Sequence, residues 1–564
     1  MTTPGFVPEK KRKLVPRAEC VDYIIVGGGV AGPVLAARLA SRSEAEVVLF
    51  EAGGRMTQRK SLAPALWPLT LGSAIDWQYR TADQPGLGGR AIAWPRGKVL
   101  GGSAALNLGG WIRGTSADYD AWAEFGGPGW SWRTLLPLYR RAEDSSRGPA
   151  SWRGQGGPVR LQPARPGAAL YQAVETAVEE AGYGGRTDAN GPHPFGSDAK
   201  EMTFVDGVRI TPASGYLGLV ADRGNLRVHT SAFVRTITFD GPRAIGVTVQ
   251  TPNGVRELRA RREVILTAGT IGTPHLLLRS GVGPADHLRE FGIPVRMDLP
   301  GVGANLHDHL QVPFSAVAPP ELTDLPPAIA TPENLRRWET TRGGPLRDLA
   351  GTGVAFIRTD EALTTPDIEL LIATGQGRGP APDRAGYRLA PVLLQPRSRG
   401  SLRLASADPA AAPILDPGYL SDPADILTLI AGLRAALRIS RQPALRPWTA
   451  KRSLDPEATN TELATYIRAN ADTVFHPVGT ARLGVDDDPY GVVDAELKVR
   501  GVEGLRVADL SAAPVITRGH TMAPAVVIAE RAADLVAGPA DCSHRARTSS
   551  GPAQFGDFYG NVID

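Results

Sequence analysis

The clearest feature of the hydrophobic pattern is an apolar run that stops abruptly at three glycines. Tyr23–Val26 is apolar throughout, Gly27–Gly29 follows directly, and Pro33–Ala40 then has the spacing of an amphipathic helix. A second apolar run, Val47–Phe50, comes after the helical stretch and ends in Glu51. This order predicts a strand, a tight turn, a helix and a second strand, which together form a βαβ unit.

The glycines of the turn have the spacing of a dinucleotide-binding fingerprint. In the G-x-G-x-x-G pattern, Gly27 permits the sharp turn, Gly29 leaves room for a pyrophosphate, and Gly32 lets the helix pack close to the strand. The helix N-terminus offers free N–H groups and the positive end of its dipole to the phosphates. Glu51 comes roughly twenty residues later, where an acid accepts hydrogen bonds from a ribose. The alternative is a glycine-rich turn in an unrelated α/β protein.

The remaining periodic segments predict further helices and strands. Helical patterns lie within Trp122–Glu143, Ala168–Ala181 and Ala424–Arg441, and strand patterns at Asn225–Thr230, Ala232–Phe239, Arg243–Gln250, Val264–Thr267, Ile368–Ile372, Leu389–Leu394 and Ser401–Leu404. A glycine- and proline-rich passage, Gly53–Gly114, suits an extended chain against a flat ligand, because glycine lets backbone amides approach closely. An exposed loop is the alternative, and the apolar residues of Ala104–Leu106 disfavour it.

Composition and charge narrow the class of protein. The chain has 564 residues, which favours two domains, and its 42% hydrophobic and 21% charged residues are typical of globular proteins. No apolar stretch is long enough to span a bilayer, and the charged N-terminus lacks the apolar core of a secretory signal, so a cytoplasmic location is expected. The net charge of +4 is small, and Lys10–Lys13 is interpreted as part of a solvated leader rather than a nucleic-acid contact. Cys20 and Cys542 give neither a disulfide framework nor a thiolate metal site.

Several long motifs follow one another in a fixed order. They are GKVLGGSAALN at Gly97–Asn107, an aromatic and acidic pattern at Trp111–Trp122, GTIGTPHLLLRSGVG at Gly269–Gly283, HPVGTARL at His476–Leu483, and the block Val492–Leu535. In these motifs the sequence resembles the glucose–methanol–choline (GMC) family of flavin oxidoreductases over residues 21–538, in particular the aryl-alcohol and hydroxymethylfurfural oxidases and the choline dehydrogenases. The resemblance implies that the dinucleotide is FAD. It also implies an α/β FAD-binding Rossmann-like domain with an α+β substrate domain built on an antiparallel sheet.

The resemblance divides the chain into interleaved segments. The FAD-binding domain is expected at residues 21–160, 206–310 and 469–538, with the catalytic histidines in its third segment, and the substrate domain at 161–205 and 311–468. Residues 1–20 are expected to form a disordered leader, because they are polar, contain three prolines and have no period. Residues 539–564 are expected to form a polar tail.

Two histidines are the candidate catalytic residues. Histidine suits a base because its unperturbed pKa, about 6.5, lies near working pH. By resemblance, His476 matches the family's active-site histidine and His520 the second position, where relatives carry His or Asn. Phe475 stands where an aromatic residue contacts the substrate ring in aryl-alcohol-oxidising relatives, although plain core packing is an equal alternative.

The expected cofactor site combines the fingerprint with residues given by the resemblance. Its members are Gly27, Gly29, Gly32, Glu51, Ala52, Gly101, Gly102, Ser103, Asn107, Val234, Asp509 and Thr521. Some relatives attach FAD covalently through a histidine just before the asparagine of the first motif. Leu106 occupies that position, so non-covalent FAD is expected. His307 and His309 form an H-x-H pattern, which can bind a metal, but the absence of a further ligand cluster favours a structural role and no metal site.

Together these features predict FAD-dependent oxidation of a primary alcohol, aromatic or furanic, to the aldehyde. By resemblance, a histidine takes the hydroxyl proton while a hydride moves to flavin N5. The expected partners are a small-molecule alcohol and an electron acceptor, either oxygen or another molecule, with no nucleic acid. Two alternatives stay open: a hydroxynitrile lyase of the same fold with non-redox FAD, and a flavin-binding protein without turnover.

Overall fold

The computed structural model describes residues 19–165, 169–322, 330–347, 349, 352–374 and 386–538. Most of the predicted leader, with Lys10–Lys13, and the predicted tail, with Cys542, lie outside the described residues. Glu19 and Cys20, at the end of the predicted leader, belong to the first strand. Within the described ranges, no helix is both long enough and apolar enough to cross a membrane.

The helices begin at residues that favour helix starts. Pro212, Pro332 and Pro423 each occupy a first helical position, where the missing N–H of proline carries no penalty. In the described residues the α-helices are Ala31–Arg42, Arg59–Leu62, Ser116–Gly126, Trp132–Ala142, Ala169–Glu180, Pro212–Gly218, Gly269–Arg279, Ala285–Glu290, Pro332–Thr341, Pro423–Ser440, Asn460–Asn470 and Met522–Ala537. The helices predicted within Trp122–Glu143 are the end of Ser116–Gly126 and Trp132–Ala142, joined by a short turn.

A seven-stranded mixed sheet contains the predicted βαβ unit. Its strands lie in the order Leu226–His229, Val47–Phe50, Glu19–Val26, Gly254–Leu266, Arg243–Thr251 and Phe233–Asp240, and Leu505–Val507 pairs with Gly254–Leu266. The first three strands, the end of the fourth and Leu505–Val507 are parallel, whereas Phe233–Asp240 and Arg243–Thr251 form an antiparallel extension. The four residues of Val47–Phe50 are all buried, as expected for a strand covered on both faces.

A second seven-stranded sheet is antiparallel throughout. Its strands lie in the order Thr352–Ile357, Ile368–Thr374, Gly386–Leu393, Leu310–Gln311 and Asp472–Thr473, while Phe314–Val317 pairs with Gly386–Leu393 and with Lys451–Arg452. Asp472–Thr473 joins this sheet although it comes from the predicted third FAD-binding segment. The predicted class, a Rossmann-like α/β domain with an α+β domain on an antiparallel sheet, is confirmed.

The other strands form small sheets around the two large ones. Gly110–Trp111, Glu201–Met202, Val159–Pro163 and Glu143–Ser145 make a four-stranded sheet. Two-stranded sheets pair Tyr79–Arg80 with Ala93–Trp94, Phe204–Val205 with Val208–Arg209, Val282–Gly283 with Met297–Asp298, and Ser401–Arg403 with Ile414–Asp416. The short strand Gly196–Asp198 completes the set.

One strand is much longer than its hydrophobic pattern indicated. The apolar run Val264–Thr267 is the buried end of a strand that begins at Gly254. The preceding residues carry exposed arginine and glutamate side chains because this half of the strand lies in the antiparallel extension, with one face in solvent. A search for apolar residues therefore finds only the end that lies in the parallel core.

Candidate active site

A cavity of about 1250 Å³ opens between the mixed sheet and the antiparallel sheet. Val26 and Phe50, at the carboxyl ends of parallel strands, line one part of it, and Glu369 of the antiparallel sheet lines another. Ligands of open α/β sheets bind at the carboxyl ends of the strands, so the cavity lies where a dinucleotide is expected. The predicted site residues that line it are Gly27, Gly29, Glu51, Ala52, Gly102, Ser103, Asn107, Val234, Phe475, His476, Asp509, His520 and Thr521.

The fingerprint turn Gly27–Gly29 and the motif Gly97–Asn107 form the floor of the cavity. Two predicted glycines, Gly32 and Gly101, do not line the cavity but shape this floor. A side chain on Gly32 would lie 2.0 Å from the Gly27 carbonyl oxygen, so the helix can approach the strand only with glycine there. Gly101 has a φ of 98° and donates its N–H to the Gly28 carbonyl at 2.8 Å. The glycine-rich motif is thereby fixed directly on the fingerprint turn.

The floor leaves room for a ligand at Gly29. A Cβ atom on Gly29 would meet no protein atom closer than the Gly102 Cα at 4.0 Å. On Gly102, by contrast, a Cβ atom would lie 2.6 Å from the Gly29 Cα, and Gly102 has a φ of 54°. Gly102 is thus required by the fold itself, whereas the space beside Gly29 is free to receive a pyrophosphate.

Glu51 is a buried carboxylate at the edge of this floor. It accepts hydrogen bonds from the N–H groups of Gly28 at 2.9 Å and Gly53 at 2.8 Å. Burial raises its pKa to about 7, although these two N–H groups act in the opposite direction. Additional donors, such as the hydroxyls of a ribose, would favour the ionised form.

Three helices direct their N-termini at the cavity. They are Ala31–Arg42, Gly269–Arg279 and Met522–Ala537, and their first residues lie among the lining residues. The positive end of a helix dipole favours negative or electron-rich groups. Asp509 holds the second of these helices in place, because its carboxylate accepts hydrogen bonds from Gly269 N–H at 2.8 Å and Thr273 Oγ1 at 2.6 Å. The Asp509 carboxylate therefore already accepts hydrogen bonds from protein groups.

The cavity fits FAD by several independent features. It combines the open space at Gly29, the acceptor Glu51 and three positive helix ends in one continuous volume. Arg96 also lines it, and its Nε and Nη2 atoms are buried without a hydrogen-bond partner among the described residues. Buried donors of this kind are normally satisfied, so a ligand with acceptor atoms suits the place.

His476 is held by a buried carboxylate beneath its loop. Asp308 is 2% exposed and accepts a hydrogen bond from the His476 backbone N–H at 2.6 Å, as well as bonds from two buried hydroxyl groups. Phe475 has a φ of 67°, an uncommon conformation for a bulky residue, and its carbonyl accepts from Arg96 Nη1 at 2.9 Å. Its N–H bonds to Thr473 Oγ1 at 2.6 Å. Such strain persists where the surroundings over-determine it, as these bonds do here.

A second histidine fixes the protonation of the His476 ring. His309 Nε2 lies 3.1 Å from the Leu394 carbonyl, which can only accept, so this nitrogen carries the proton. Burial lowers the pKa of His309 to about 4, so its Nδ1 is an acceptor at neutral pH. His476 Nδ1 lies 3.0 Å away and must therefore donate. The neutral His476 ring then has a free electron pair on Nε2.

The environment keeps His476 neutral. Burial lowers its pKa well below the ordinary value, and His520 and His309 beside it act in the same direction. A neutral imidazole whose Nδ1–H is already engaged can take a proton only at Nε2. The neutral ring therefore offers one proton acceptor, its Nε2 atom.

His520 is bound to a carboxylate instead. Its Nε2 lies 2.9 Å from Glu369 Oε1, and its backbone N–H donates to the Ile112 carbonyl at 3.0 Å. Burial would raise the pKa of Glu369, but the charge and hydrogen bond of His520 outweigh it, and the pKa falls below the usual value. The rings of His476 and His520 are 5.2 Å apart between centroids. One small hydroxyl group can therefore lie near both.

The aromatic motif Trp111–Trp122 supports the loop that carries His520. Trp122 Nε1 donates to the Val515 carbonyl at 2.8 Å, and the Asp118 carboxylate accepts the backbone N–H of Arg518 at 3.0 Å. A side chain on Gly110 would lie 2.7 Å from His520 Nδ1. Gly110, directly before the motif, therefore leaves space for the His520 ring, and the motif itself anchors the loop.

The H-x-H pattern has other partners than a metal. His307 Nε2 accepts the backbone N–H of Ile516 at 3.0 Å, and its Nδ1 lies 2.6 Å from the Asn305 carbonyl. His309 Nδ1 contacts His476 Nδ1, as described above. Across the residues that the structure describes, no group of three or more His, Cys, Asp or Glu side chains is arranged to hold a metal.

Sequence reasoning missed several charged residues of the cavity, among them Lys200, Glu369 and Arg96. Glu369 interrupts the apolar strand pattern Ile368–Ile372, and an acid within such a run is a usable signal. Arg96 directly precedes the first motif, but its unpartnered nitrogens emerge only from packing. Lys200 lies in a polar stretch and has no sequence signal at all.

Comparison with known proteins identifies the family. Two models of the GMC oxidoreductase family match residues 21–311 and 396–529. An uncharacterized GMC-type oxidoreductase of Mycobacterium tuberculosis is 39% identical over 91% of this chain and 99% of its own length. An oxygen-dependent choline dehydrogenase of Brucella anthropi is 35% identical over 92% and 95%. The crystal structure of pyridoxine 4-oxidase from Mesorbium loti superposes with a TM-score of 0.83, 32% identity, and coverage of 92% and 100%.

The matches span nearly the whole chain, and the proteins of this family with similar structures are FAD-dependent. The fingerprint turn, the three helix ends and the paired histidines lie within the matched residues. The chain therefore belongs to the GMC oxidoreductase family and is an oxidoreductase enzyme.

Proposed function

We propose that the protein is an FAD-dependent enzyme that oxidises a primary alcohol, aromatic or furanic, to the aldehyde. The observation that carries the proposal is the pair His476 and His520, whose rings lie 5.2 Å apart in one cavity and have opposite partners. His476 is backed by a neutral histidine and His520 by a carboxylate. Two titratable groups in environments that differ in this way suit separate acid and base roles.

The residues of the floor would hold FAD. The pyrophosphate would lie at Gly29 and at the N-terminus of Ala31–Arg42, with Glu51 as the ribose acceptor and Val234, Gly102, Ser103, Asn107 and Thr521 among the remaining contacts. When bound, the flavin supplies a hydride acceptor for the alcohol carbon. Leu106 stands in place of a linking histidine, and the proposal is therefore non-covalent FAD.

His476 would take the proton of the alcohol at its Nε2 atom. The Leu394 carbonyl orders His309, and His309 in turn orders His476, so the free electron pair is already in place before substrate binds. The Asp308 bond to the His476 backbone fixes the ring position. A positioned base contributes about 10²–10⁴-fold to the rate.

His520 would orient and stabilise the same oxygen atom. The carboxylate of Glu369 holds the His520 ring through its Nε2 atom, and the ring would stabilise the negative charge that develops as the hydroxyl loses its proton. Glu369 acts through His520 and is therefore a positioning residue.

The aromatic character of the substrate is supported by Phe475 and by a relative. Phe475 directly precedes His476 and lines the cavity, next to the place proposed for the reacting alcohol. The enzyme from Mesorbium loti is named for pyridoxine, which is an aromatic ring compound. The Brucella relative is named for choline, which is a cationic aliphatic alcohol. Aliphatic alcohols therefore belong in the same test.

An anaerobic alcohol panel tests the proposal. Bleaching of the flavin by an aryl or furanic alcohol, with formation of the aldehyde, is the expected result. A hydroxynitrile lyase would leave the flavin oxidised while it cleaves a cyanohydrin, and a flavin-binding protein without turnover would do neither. Peroxide release after re-oxygenation then separates oxygen from a quinone or protein as electron acceptor.

A further inference from the structure

Lys200 is among the charged groups of the cavity that have no assigned task in this reaction. Lys200 lies in the loop before Glu201–Met202 and is 3% exposed. It lines the part of the cavity between this loop and the antiparallel sheet. Its side chain makes no hydrogen bond and no ion pair within 4.0 Å with any residue in the described part of the chain. A buried ammonium without a partner is costly, and burial lowers the pKa of Lys200 accordingly.

The two carboxylates that act on Lys200 electrostatically are already engaged. Glu369 accepts from His520 Nε2 at 2.9 Å, and Asp198 forms an ion pair with Arg147. Both influence Lys200 electrostatically from beyond ion-pair distance. The three donor hydrogens of the ammonium are therefore free for a group that enters the cavity.

Lys200 lies beside the proposed reaction centre. The position that a Gly110 side chain would fill is 2.7 Å from His520 Nδ1 and 3.5 Å from Lys200 Cδ. Because Gly110 has no side chain, the histidine ring and the lysine chain border one narrow space. Met202 and Leu371, which line the same cavity, add apolar surface for the body of a substrate.

We propose that the alcohol substrate carries a carboxylate, which pairs with Lys200 while its hydroxyl group lies at His476 and His520. This inference rests on the proposed function and narrows it to a class: small hydroxymethyl aromatic or furanic acids. A carboxylate supplies the charge and the acceptor atoms that the ammonium lacks, and charged hydrogen bonds of this kind are the strong ones. Lys200 would then be a specificity-determining residue of the site.

Substrate pairs that differ only in charge test the inference. The probes are 3-(hydroxymethyl)benzoate, 5-(hydroxymethyl)-2-furoate and their uncharged carboxamides, compared by kcat/KM. In Lys200→Met the ratio of acid to amide should fall about 10- to 100-fold, the range for a hydrogen bond to a charged group. Lys200→Arg should recover part of it, and Lys451→Met, which removes an exposed lysine of the antiparallel sheet, should leave it unchanged.

A binding measurement separates this inference from the proposed function. Isophthalate should bind the wild-type holoenzyme more tightly than isophthalamide by calorimetry, and Lys200→Met should abolish that preference. This result would stand even if no alcohol were oxidised. Two results would overturn the inference: Lys200→Met keeps the preference for isophthalate, or it loses affinity for isophthalate and isophthalamide equally. The second result would place Lys200 against the flavin. Lys200→Gln serves as the second variant if Lys200→Met binds no FAD.

Discussion

His476 and His520 are the same residue type, and what lies behind each ring makes them different. The Nδ1 atom of His476 donates to a histidine that burial keeps neutral, whereas the Nε2 atom of His520 contacts an ionised carboxylate. The first arrangement leaves an electron pair on Nε2, and the second holds the ring by a contact with a negative group. Each role depends on a neighbour as much as on the histidine itself.

Replacing His476 with alanine should slow flavin reduction by about 10²–10⁴-fold and leave FAD bound, because a base is lost but the floor of the cavity is intact. His520→Asn should be milder than His520→Ala, since asparagine keeps a donor. The effects of the two sites should not add, because both act on one oxygen. Anaerobic stopped-flow reduction at saturating alcohol measures all of these. A His476→Ala variant that reduced its flavin at the parental rate would show that the base lies elsewhere.

Replacing Glu369 with glutamine should lower kcat more than it raises KM, because the ring of His520 loses its negative partner but the pocket keeps its shape. In the His520→Asn background the same change should have little further effect, since Glu369 acts through that ring. Glu361→Gln, on an exposed residue close by in the chain, is the matched control. Equal losses in both backgrounds would mean that Glu369 contacts the substrate or the flavin directly.

The sequence predicted the two histidines because each lies in a short, distinctive motif. Their partners are distant along the chain: His309 lies 167 residues before His476, and Glu369 lies 151 residues before His520. No local pattern connects positions so far apart. The interpretation of His309 as structural therefore missed its place behind the candidate base.

At the scale of elements, the fingerprint turn and the glycine-rich motif work as one unit. Gly102 leaves space for the Gly29 backbone, Gly32 for the Gly27 carbonyl, and Gly97 for the Gly102 carbonyl. Gly29 differs from these glycines, because it lines the cavity and its Cβ position has no atom of the described residues closer than 4.0 Å. A substitution at Gly29 should therefore affect the ligand without disturbing the turn.

Replacing Gly29 with alanine should lower FAD affinity at least tenfold, or about 1.4 kcal/mol, because the added methyl group would occupy the proposed pyrophosphate space. The stability of the FAD-free protein should change by less than about 0.5 kcal/mol, since no protein atom lies closer than 4.0 Å to the new methyl group. Gly54→Ala, at a position outside the cavity where a Cβ meets no atom within 4 Å, is the control. Full FAD affinity in Gly29→Ala would place the cofactor elsewhere.

FAD affinity should weaken as the pH falls below 7. Burial raises the pKa of Glu51 to about 7 in the free protein, and ribose hydroxyls would donate to its ionised form, so binding requires loss of the proton. The dissociation constant should then rise by up to about tenfold per pH unit well below 7 and level off above it. Titration of the apoprotein with FAD, followed by flavin fluorescence between pH 5.5 and 8, measures this. Glu51→Gln should bind more weakly and without this pH dependence.

At the scale of the whole molecule, the candidate site is assembled from parts that lie far apart in the chain. His309 precedes the antiparallel sheet, Glu369 lies within it, and His476 and His520 follow it. Glu51 and the fingerprint turn follow directly after two strands of the mixed sheet and line the cavity. Periodicity predicted single strands of both sheets, such as Val47–Phe50 and Ile368–Ile372, because a strand is a local pattern, whereas the antiparallel sheet as a whole was implied by the resemblance. Periodicity and motifs could not predict which side chains line the cavity between the two sheets, since this depends on how the sheets pack.

FAD that bridges such a junction should stabilise both parts of the molecule together. At a free concentration of about 100 times its dissociation constant, FAD should raise the free energy of unfolding by about 2.7 kcal/mol. FMN, which lacks the adenosine that Glu51 and Val234 would contact, should stabilise much less. Thermal unfolding of the apoprotein with each nucleotide, followed by calorimetry and tryptophan fluorescence, measures the effect. Acid precipitation of the holoenzyme should leave FAD in the supernatant, because Leu106 offers no atom for a covalent bond. A yellow pellet, or equal stabilisation by FMN and FAD, would contradict the proposed mode of binding.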